Sequence, residues 1–324
     1  MQQTLTTALI PALVAFLVSF LLAPVFIPWL HRLKFGQQIL EDGPVWHKKK
    51  TGTPTMGGLI FMSGIVLAAI AGLFVRFDLH YAMMVAVAVG FGGIGFIDDY
   101  IKVVKKRNLG LTAWQKLLLQ AILAAVYVVV LNQTGDLNTE ILIPFTKQMI
   151  HMPWWLYIPL IFLVVIATDN SVNLTDGLDG LAASVTTIVA LFFTLVGACY
   201  GVFPAVWFGA SIVGGLLAFL CFNHYPAKVF MGDTGSLFLG GAVSVLAIGL
   251  KMPLVLIIVG FVYLFESLSV ILQVISFQTT GKRIFKMSPI HHHFEMCGWS
   301  EKKIVFWFSF ITLILCVIGF FAVV

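Results

Sequence analysis

Charge is what this sequence has least of. Asp, Glu, Lys and Arg make up 10% of its 324 residues, against about 25% in an ordinary soluble chain. So little polar surface cannot cover a water-exposed exterior, and with 60% hydrophobic residues the chain cannot be intrinsically disordered either. Cysteine is also scarce. Cys199, Cys221, Cys297 and Cys316 show no CxxC spacing and lie mostly inside apolar runs, which excludes a disulfide framework or a zinc site. Short alternating strands are missing too, and the long unbroken apolar runs exclude a β-barrel in favour of helices. The expected class is an all-α polytopic membrane protein.

Ten apolar segments are present, at 8–30, 56–75, 81–97, 115–132, 154–168, 182–200, 204–222, 236–250, 253–277 and 304–324. The first is too long for a cleaved signal peptide and lacks a basic flank before it. Ten spans place both termini on one face. Basic residues test that count, because Lys and Arg gather on the cytoplasmic side of a membrane protein. Loops 31–55, 98–116, 169–181, 223–235 and 278–303 hold sixteen of the nineteen, and only Arg76, Lys147 and Lys251 fall on the other face. The expectation is ten transmembrane helices, extracytoplasmic termini and five cytoplasmic loops in one membrane domain, residues 1–324. The segment 133–153 is the one sizeable outer loop. Its TGD turn and β-prone run predict a small hairpin between helices 4 and 5, followed by Trp154 and Trp155 as interfacial anchors. The net charge of +5 reads as an orientation signal, so nucleic acid is not an expected partner, although phosphate-rich substrates and anionic lipids are compatible with it.

Acidic residues are fewer and their placement says more. Of fourteen, ten fall in the five cytoplasmic loops or at their edges. Asp98 and Asp99 close the third segment in GFIDDYIK, where a helix C-terminus repels negative charge; a helix stop followed by Lys102 is the plainer alternative. In NLTDGLDG, a helix would set Asn173, Asp176 and Asp179 on one face, with Gly177 and Gly180 allowing a ligand near the backbone. A loop of turn formers is equally open. In VFMGDTGS, Gly232, Asp233 and Thr234 precede an apolar helix whose N–H groups would face an anion, and Asp233 suits Mg²⁺. The same residues serve as a simple N-cap. Phe230 beside them could stack a base. SPIHHHFE carries His291, His292 and His293 next to Lys282, Arg283 and Lys286, a set better suited to phosphate than to zinc. Glu266 and Gln273 share a helix face, where interhelical hydrogen bonding is the alternative. In HKKKTGTPTMGG, Lys48 and Thr53 could contact a substrate, while lysines beside a membrane usually mark topology.

GTPTMGG, GFIDDYIK with KRNLGLT, NLTDGLDG, AKVFMGDTGSL and SPIHHHFE followed by GWSE together resemble the phospho-N-acetylmuramoyl-pentapeptide transferases, over essentially the whole chain. The carboxylate motifs are shared with the wider polyprenyl-phosphate N-acetylhexosamine-1-phosphate transferase superfamily. PTMGG and HHH are more particular to the muramoyl branch. What the resemblance implies is an enzyme of the bacterial cytoplasmic membrane, active on its cytoplasmic face. It would transfer phospho-MurNAc-pentapeptide from UDP-MurNAc-pentapeptide to undecaprenyl phosphate with Mg²⁺, giving lipid I and UMP. By that resemblance Asp98 accepts a proton from the lipid phosphate, while Asp233 and Asp99 hold metal and diphosphate. Asn173, Asp176, Asp179, Asn223, Phe230 and Gly232 would line the uridine-diphosphate pocket, with Lys48, Thr53, Gln273, His291, His292 and His293 nearby. Membrane lipid is an expected partner, and a homodimer is left open. Two rivals remain: a transferase of GlcNAc-1-phosphate to the same lipid, and a secondary transporter, which would carry ionisable residues near the bilayer midplane.

Overall fold

A computed structural model of the chain describes residues 2–32, 52–104, 110–135 and 137–324. Among these, ten helices are long and apolar enough to cross a membrane. They are α1 (Gln2–Arg32), α2 (Gly58–Val75), α3 (Leu79–Val104), α4 (Ala113–Thr134), α5 (Trp154–Thr175), α6 (Leu181–Tyr200), α7 (Phe203–Asn223), α8 (Gly232–Gly249), α10 (Phe261–Thr280) and α12 (Glu301–Val323). Two short helices, α9 (Leu256–Val259) and α11 (Ile290–Met296), complete the set.

The expected hairpin forms as β1 (Glu140–Ile143) and β2 (Gln148–His151), antiparallel with Glu140 opposite His151. It lies against the end of α8, where the Leu142 N–H donates to the Lys251 carbonyl and the Lys251 ammonium sits 2.6 Å from Glu140. Trp154 and Trp155 are exposed at the start of α5.

Helix α8 is the axis of the bundle, buried over almost its whole length. Its glycines, serines and alanines let neighbouring backbones approach closely. At its start the approach is tightest: a Cβ on Gly58 of α2 would run into the Gly235 backbone, and one on Gly95 of α3 into the backbone of Asp233. Large apolar side chains on α1, α10 and α12, such as Leu9, Ile271 and Phe321, are exposed, as a lipid-facing surface requires.

Three expected boundaries are corrected. The third helix does not stop at Asp98 and Asp99 but continues to Val104, so neither carboxylate faces a helix C-terminus. The fifth helix is 22 residues long, not fifteen, and runs to Thr175; Asp169, assigned to a loop by hydropathy, is fully buried inside it. The expected ninth span breaks at Gly260, whose N–H still reaches the Leu256 carbonyl, into a 3-10 turn at Pro253–Val255, then α9 and α10.

Candidate active site at the head of α8

Gly232 takes a φ of +69°, open to glycine and strained for other residues, and turns the chain into α8. The helix opens with exposed N–H groups and a positive dipole end. The anion that satisfies them is the protein's own. Asp99 on α3 accepts the Asp233 N–H at 3.2 Å, the Thr234 N–H at 2.9 Å and the Thr234 hydroxyl at 2.6 Å. A Cβ on Gly232 would meet that carboxylate at 2.6 Å. The expected ligand anion at this N-terminus is therefore corrected to Asp99, and α3 and α8 are tied together by it.

Asp98, one residue earlier, faces a different group. Its Oδ1 accepts the Leu111 N–H at 2.7 Å, and its Oδ2 pairs with Lys102 at 2.5 Å. The KRNLGLT motif acquires a structural meaning here: a Cβ on Gly110 would strike Asp98, Leu111 donates to it, and Thr112 caps α4. The Thr112 hydroxyl accepts the Gln115 N–H while the Gln115 side chain accepts the Thr112 N–H, a reciprocal capping box. That start aims Lys116 at Asp233.

Asp233 is the meeting point. Its Oδ2 receives Lys102 and Lys116, each at 2.8 Å, and its Oδ1 accepts Asn173 Nδ2 at 2.9 Å. Asn173 also reaches the Ser236 hydroxyl at 2.8 Å. Four helices thus converge on one carboxylate: α3, α4, α5 and α8. Asp98 and Asp99 are buried, whereas Lys102 is 38% exposed, so the cluster opens to the outside mainly beside Lys102. Oxygens of Asp98, Asp99 and Asp233 all lie within 4.8 Å of one another. Three hard oxygen donors at that spacing fit Mg²⁺, which is usually held by one or two carboxylates with substrate phosphates and water.

The other expected site residues have partners outside this cluster. Lys48 lies outside the described residues. Thr53 is half-buried in a stretch that pairs with the VFMG segment: the Phe230 N–H donates to the Pro54 carbonyl at 2.9 Å, and the Gly57 N–H to the Phe230 carbonyl at 2.8 Å. Phe230 itself is half-buried rather than freely exposed. The single face expected for Asn173, Asp176 and Asp179 does not form. Helix α5 ends at Thr175, Asp176 is its C-cap, and Gly180 at φ +79° starts α6, so Asn173 faces Asp233 while Asp179 faces Ala227. The Asp179 carboxylate accepts the Ala227 N–H at 2.9 Å, and Asn223 bridges the Gly180 N–H and the Val229 carbonyl at 3.1 and 2.9 Å. These contacts join the DGLDG turn to the segment leading into α8.

Gln273 is committed to the 281–289 loop, accepting the Ile284 and Phe285 N–H groups and donating to the Phe285 carbonyl. His291, His292 and His293 follow on α11 with separate partners: Glu266 at 3.0 Å, Glu295 at 2.6 Å and the Lys286 N–H at 3.1 Å respectively. The His291 and His292 rings lie 4.1 Å apart, but each of the three Nδ1 atoms is engaged by a different partner, so the three do not converge on one ion.

Sequence reasoning missed Lys102 and Lys116, which it counted as topology markers. Two signals were available. Lys102 stands four residues after Asp98, and Lys116 falls inside an apolar helix rather than in a loop. Gln120 and Asp169 were missed as well; they bond at 2.6 Å one helical turn below the cluster.

Fold and site together define a multi-pass membrane protein with an acid and lysine cluster where several of its helices end. A family model described as glycosyl transferase family 4 matches residues 81–251, the stretch from α3 to the end of α8 that carries the three aspartates. The chain is 51% identical over 318 residues to a Clostridium botulinum (strain Alaska E43 / Type E3) protein, covering 98% of this chain and 96% of that one. It is 51% identical over 313 residues to one from Acetivibrio thermocellus, covering 96% and 93%, and 48% identical over 318 residues to one from Halalkalibacterium halodurans, covering 97% and 96%. Each of these bears the name phospho-N-acetylmuramoyl-pentapeptide-transferase. The chain belongs to the phospho-N-acetylmuramoyl-pentapeptide-transferase family and is a transferase enzyme.

Proposed function

We propose that the chain transfers phospho-MurNAc-pentapeptide from its UDP carrier to undecaprenyl phosphate, giving lipid I and UMP, and that residues 1–324 act as one membrane domain with termini outside and the site on the cytoplasmic face. The observation that carries this reading is the convergence of Asp98, Asp99 and Asp233 with Lys102 and Lys116 at the head of α8. The segregation of sixteen of nineteen basic residues supports the sidedness.

Two anionic substrates must meet. An oxygen of the lipid phosphate attacks the sugar-bearing phosphorus of the donor, the bond from that phosphorus to the bridging oxygen breaks, and UMP leaves. In this reading Asp98 takes the proton of the lipid phosphate. Lys102 and Lys116 offset the charge of the phosphates, as positioned cations do in phosphoryl transfer. Asp233 and Asp99 are the residues that would hold Mg²⁺, whose part when bound is to neutralise the diphosphate and help the leaving oxygen depart. Asn173 fixes Asp233, while Thr53, Asp176, Asp179, Asn223, Phe230 and Gly232 frame the donor side, with Gln273, His291, His292 and His293 around it; Lys48 is proposed as a donor contact on the family resemblance alone. A phosphate monoester is already a nucleophile, so positioning suffices and no enzyme-bound phospho-sugar is needed.

The test is purified protein with undecaprenyl phosphate, Mg²⁺ and either UDP-MurNAc-pentapeptide or UDP-GlcNAc, read as UMP release. Turnover with the muramoyl donor is expected. None with that donor overturns the reading, and a labelled aspartyl adduct trapped without acceptor overturns the direct displacement.

A further inference from the structure

Glu266 is a carboxylate on a membrane helix, fully buried, with no Lys or Arg within 4 Å among the described residues. Burying such a group is costly unless something binds it. What binds it is His291. The ring Nδ1 stands 3.0 Å from Glu266 Oε2, and the ring is 1% exposed. With a carboxylate on one side, Nδ1 carries the hydrogen, which leaves Nε2 as the uncommitted polar atom of the ring.

Nε2 has no hydrogen-bond partner among the described residues. It is turned toward the DGLDG turn: a Cβ on Gly177 would collide with it. The two ends of this arrangement are also fixed to each other. Ser267, beside Glu266 on α10, donates to Ser171 on α5 at 2.7 Å, and Tyr263 donates to Thr186 on α6 at 2.7 Å. Helices α5 and α6 are those that flank the turn. The carboxylate, the imidazole and Gly177 therefore stand in a set line, with the far side of the turn tied to Asn223 and Glu301.

We infer that Glu266 is a positioning residue of the donor site, orienting His291 so that Nε2 bears on Gly177 and sets the Asp176–Gly180 turn for the nucleotide. The inference rests on the placement of the donor proposed above. Glu266 touches no substrate; its whole effect passes through His291.

That last property supplies the test. Wild type, Glu266→Ala, His291→Ala and the double variant are compared for UDP affinity by calorimetry, and for the KM of each substrate by UMP release. Glu266→Ala is expected to weaken UDP binding and raise the donor KM by about tenfold, with the acceptor KM unchanged. The same substitution in the His291→Ala background is expected to add nothing. Glu266→Gln, which keeps an acceptor of the same shape, should recover the larger part of the loss, and Glu266→Met, which fills the space without an acceptor, serves as the readout if the alanine variant does not fold. Equal losses in both backgrounds, an equal rise in acceptor KM, or unchanged UDP affinity overturn the inference. Failure of wild type to turn over the muramoyl donor overturns the functional reading instead, and UDP affinity still decides the role of Glu266.

Discussion

Asp99 on α3 and Asp233 on α8 are joined through the backbone: Asp99 Oδ1 accepts the Asp233 N–H at 3.2 Å. One carboxylate holds the start of the helix that presents the other. Asp98, adjacent in sequence, has no such duty and contacts Leu111, Lys102 and Lys116 instead. Of these two neighbouring aspartates, Asp99 therefore ties α3 to the head of α8 in addition to its part in the metal site proposed above, and Asp98 does not.

That division separates their variants. Asp99→Ala leaves N–H groups at the head of α8 without a partner and is expected to lower stability by about 1–3 kcal/mol along with turnover. Asp98→Asn keeps an oxygen for the Leu111 N–H, so it is expected to stop turnover with the melting temperature little changed. Thermal unfolding in detergent alongside UMP release checks both, and equal stability losses would contradict the division.

Lys116 reaches Asp233 from α4 at 2.8 Å while remaining mostly buried. Lys116→Met removes a cation aimed at the phosphates and is expected to lower kcat by about 10²-fold, the usual effect of deleting one positioned donor. Near wild-type kcat in that variant would remove Lys116 from the mechanism.

If Asp233 and Asp99 hold Mg²⁺, chelation by EDTA should abolish UMP release and added Mg²⁺ should restore it. Asp233→Asn should bind Mn²⁺ more weakly than wild type by paramagnetic resonance, a measurement independent of turnover. Full activity in EDTA would exclude the metal.

Gly58 sits where any Cβ meets the Gly235 backbone. Gly58→Ala must push α2 from α8, and overpacking of this kind costs about 1–3 kcal/mol. The expected result is a lower melting temperature together with reduced activity, because the displaced helix opens the bundle beside Asp233. Unchanged stability would show that the two helices can part freely.

On the opposite face, Lys251 holds the Glu140 carboxylate below the ordinary glutamate range by hydrogen bonding, with Asn138 and His151 adding to it. A group whose pKa is depressed by folding stabilises the fold above its unfolded value, and that contribution is lost as pH falls through the lower, folded one. Melting temperature should therefore drop on acidification below about pH 4, and Glu140→Gln should reduce that drop. An identical acid dependence in the variant would detach the hairpin from this pair.

How much of this was legible in the sequence depended on the range of the interaction. Hydropathy sums over some twenty neighbouring residues, so ten spans, the hairpin at Glu140–His151 and the segregation of Lys and Arg could be read from order alone. The three aspartates stood out because charge beside apolar runs is costly. What order could not settle was which side chains meet. Helix α3 runs past Asp99 because the carboxylates are satisfied by α8 and α4, which local pattern does not record. Asn173 and Asp179 part company because the chain leaves the helix at Asp176. Lys102 and Lys116 looked like topology markers until Asp233, more than a hundred residues away, was found beside them. The sequence by itself determined a membrane bundle, its family and the inventory of charges at one face. Only the tertiary structure decided that Asp99 caps α8 while Asp98 meets Leu111 and Lys102, and that Glu266 faces His291, because hydrogen bonds and ion pairs act over a few ångströms in space and are blind to separation along the chain.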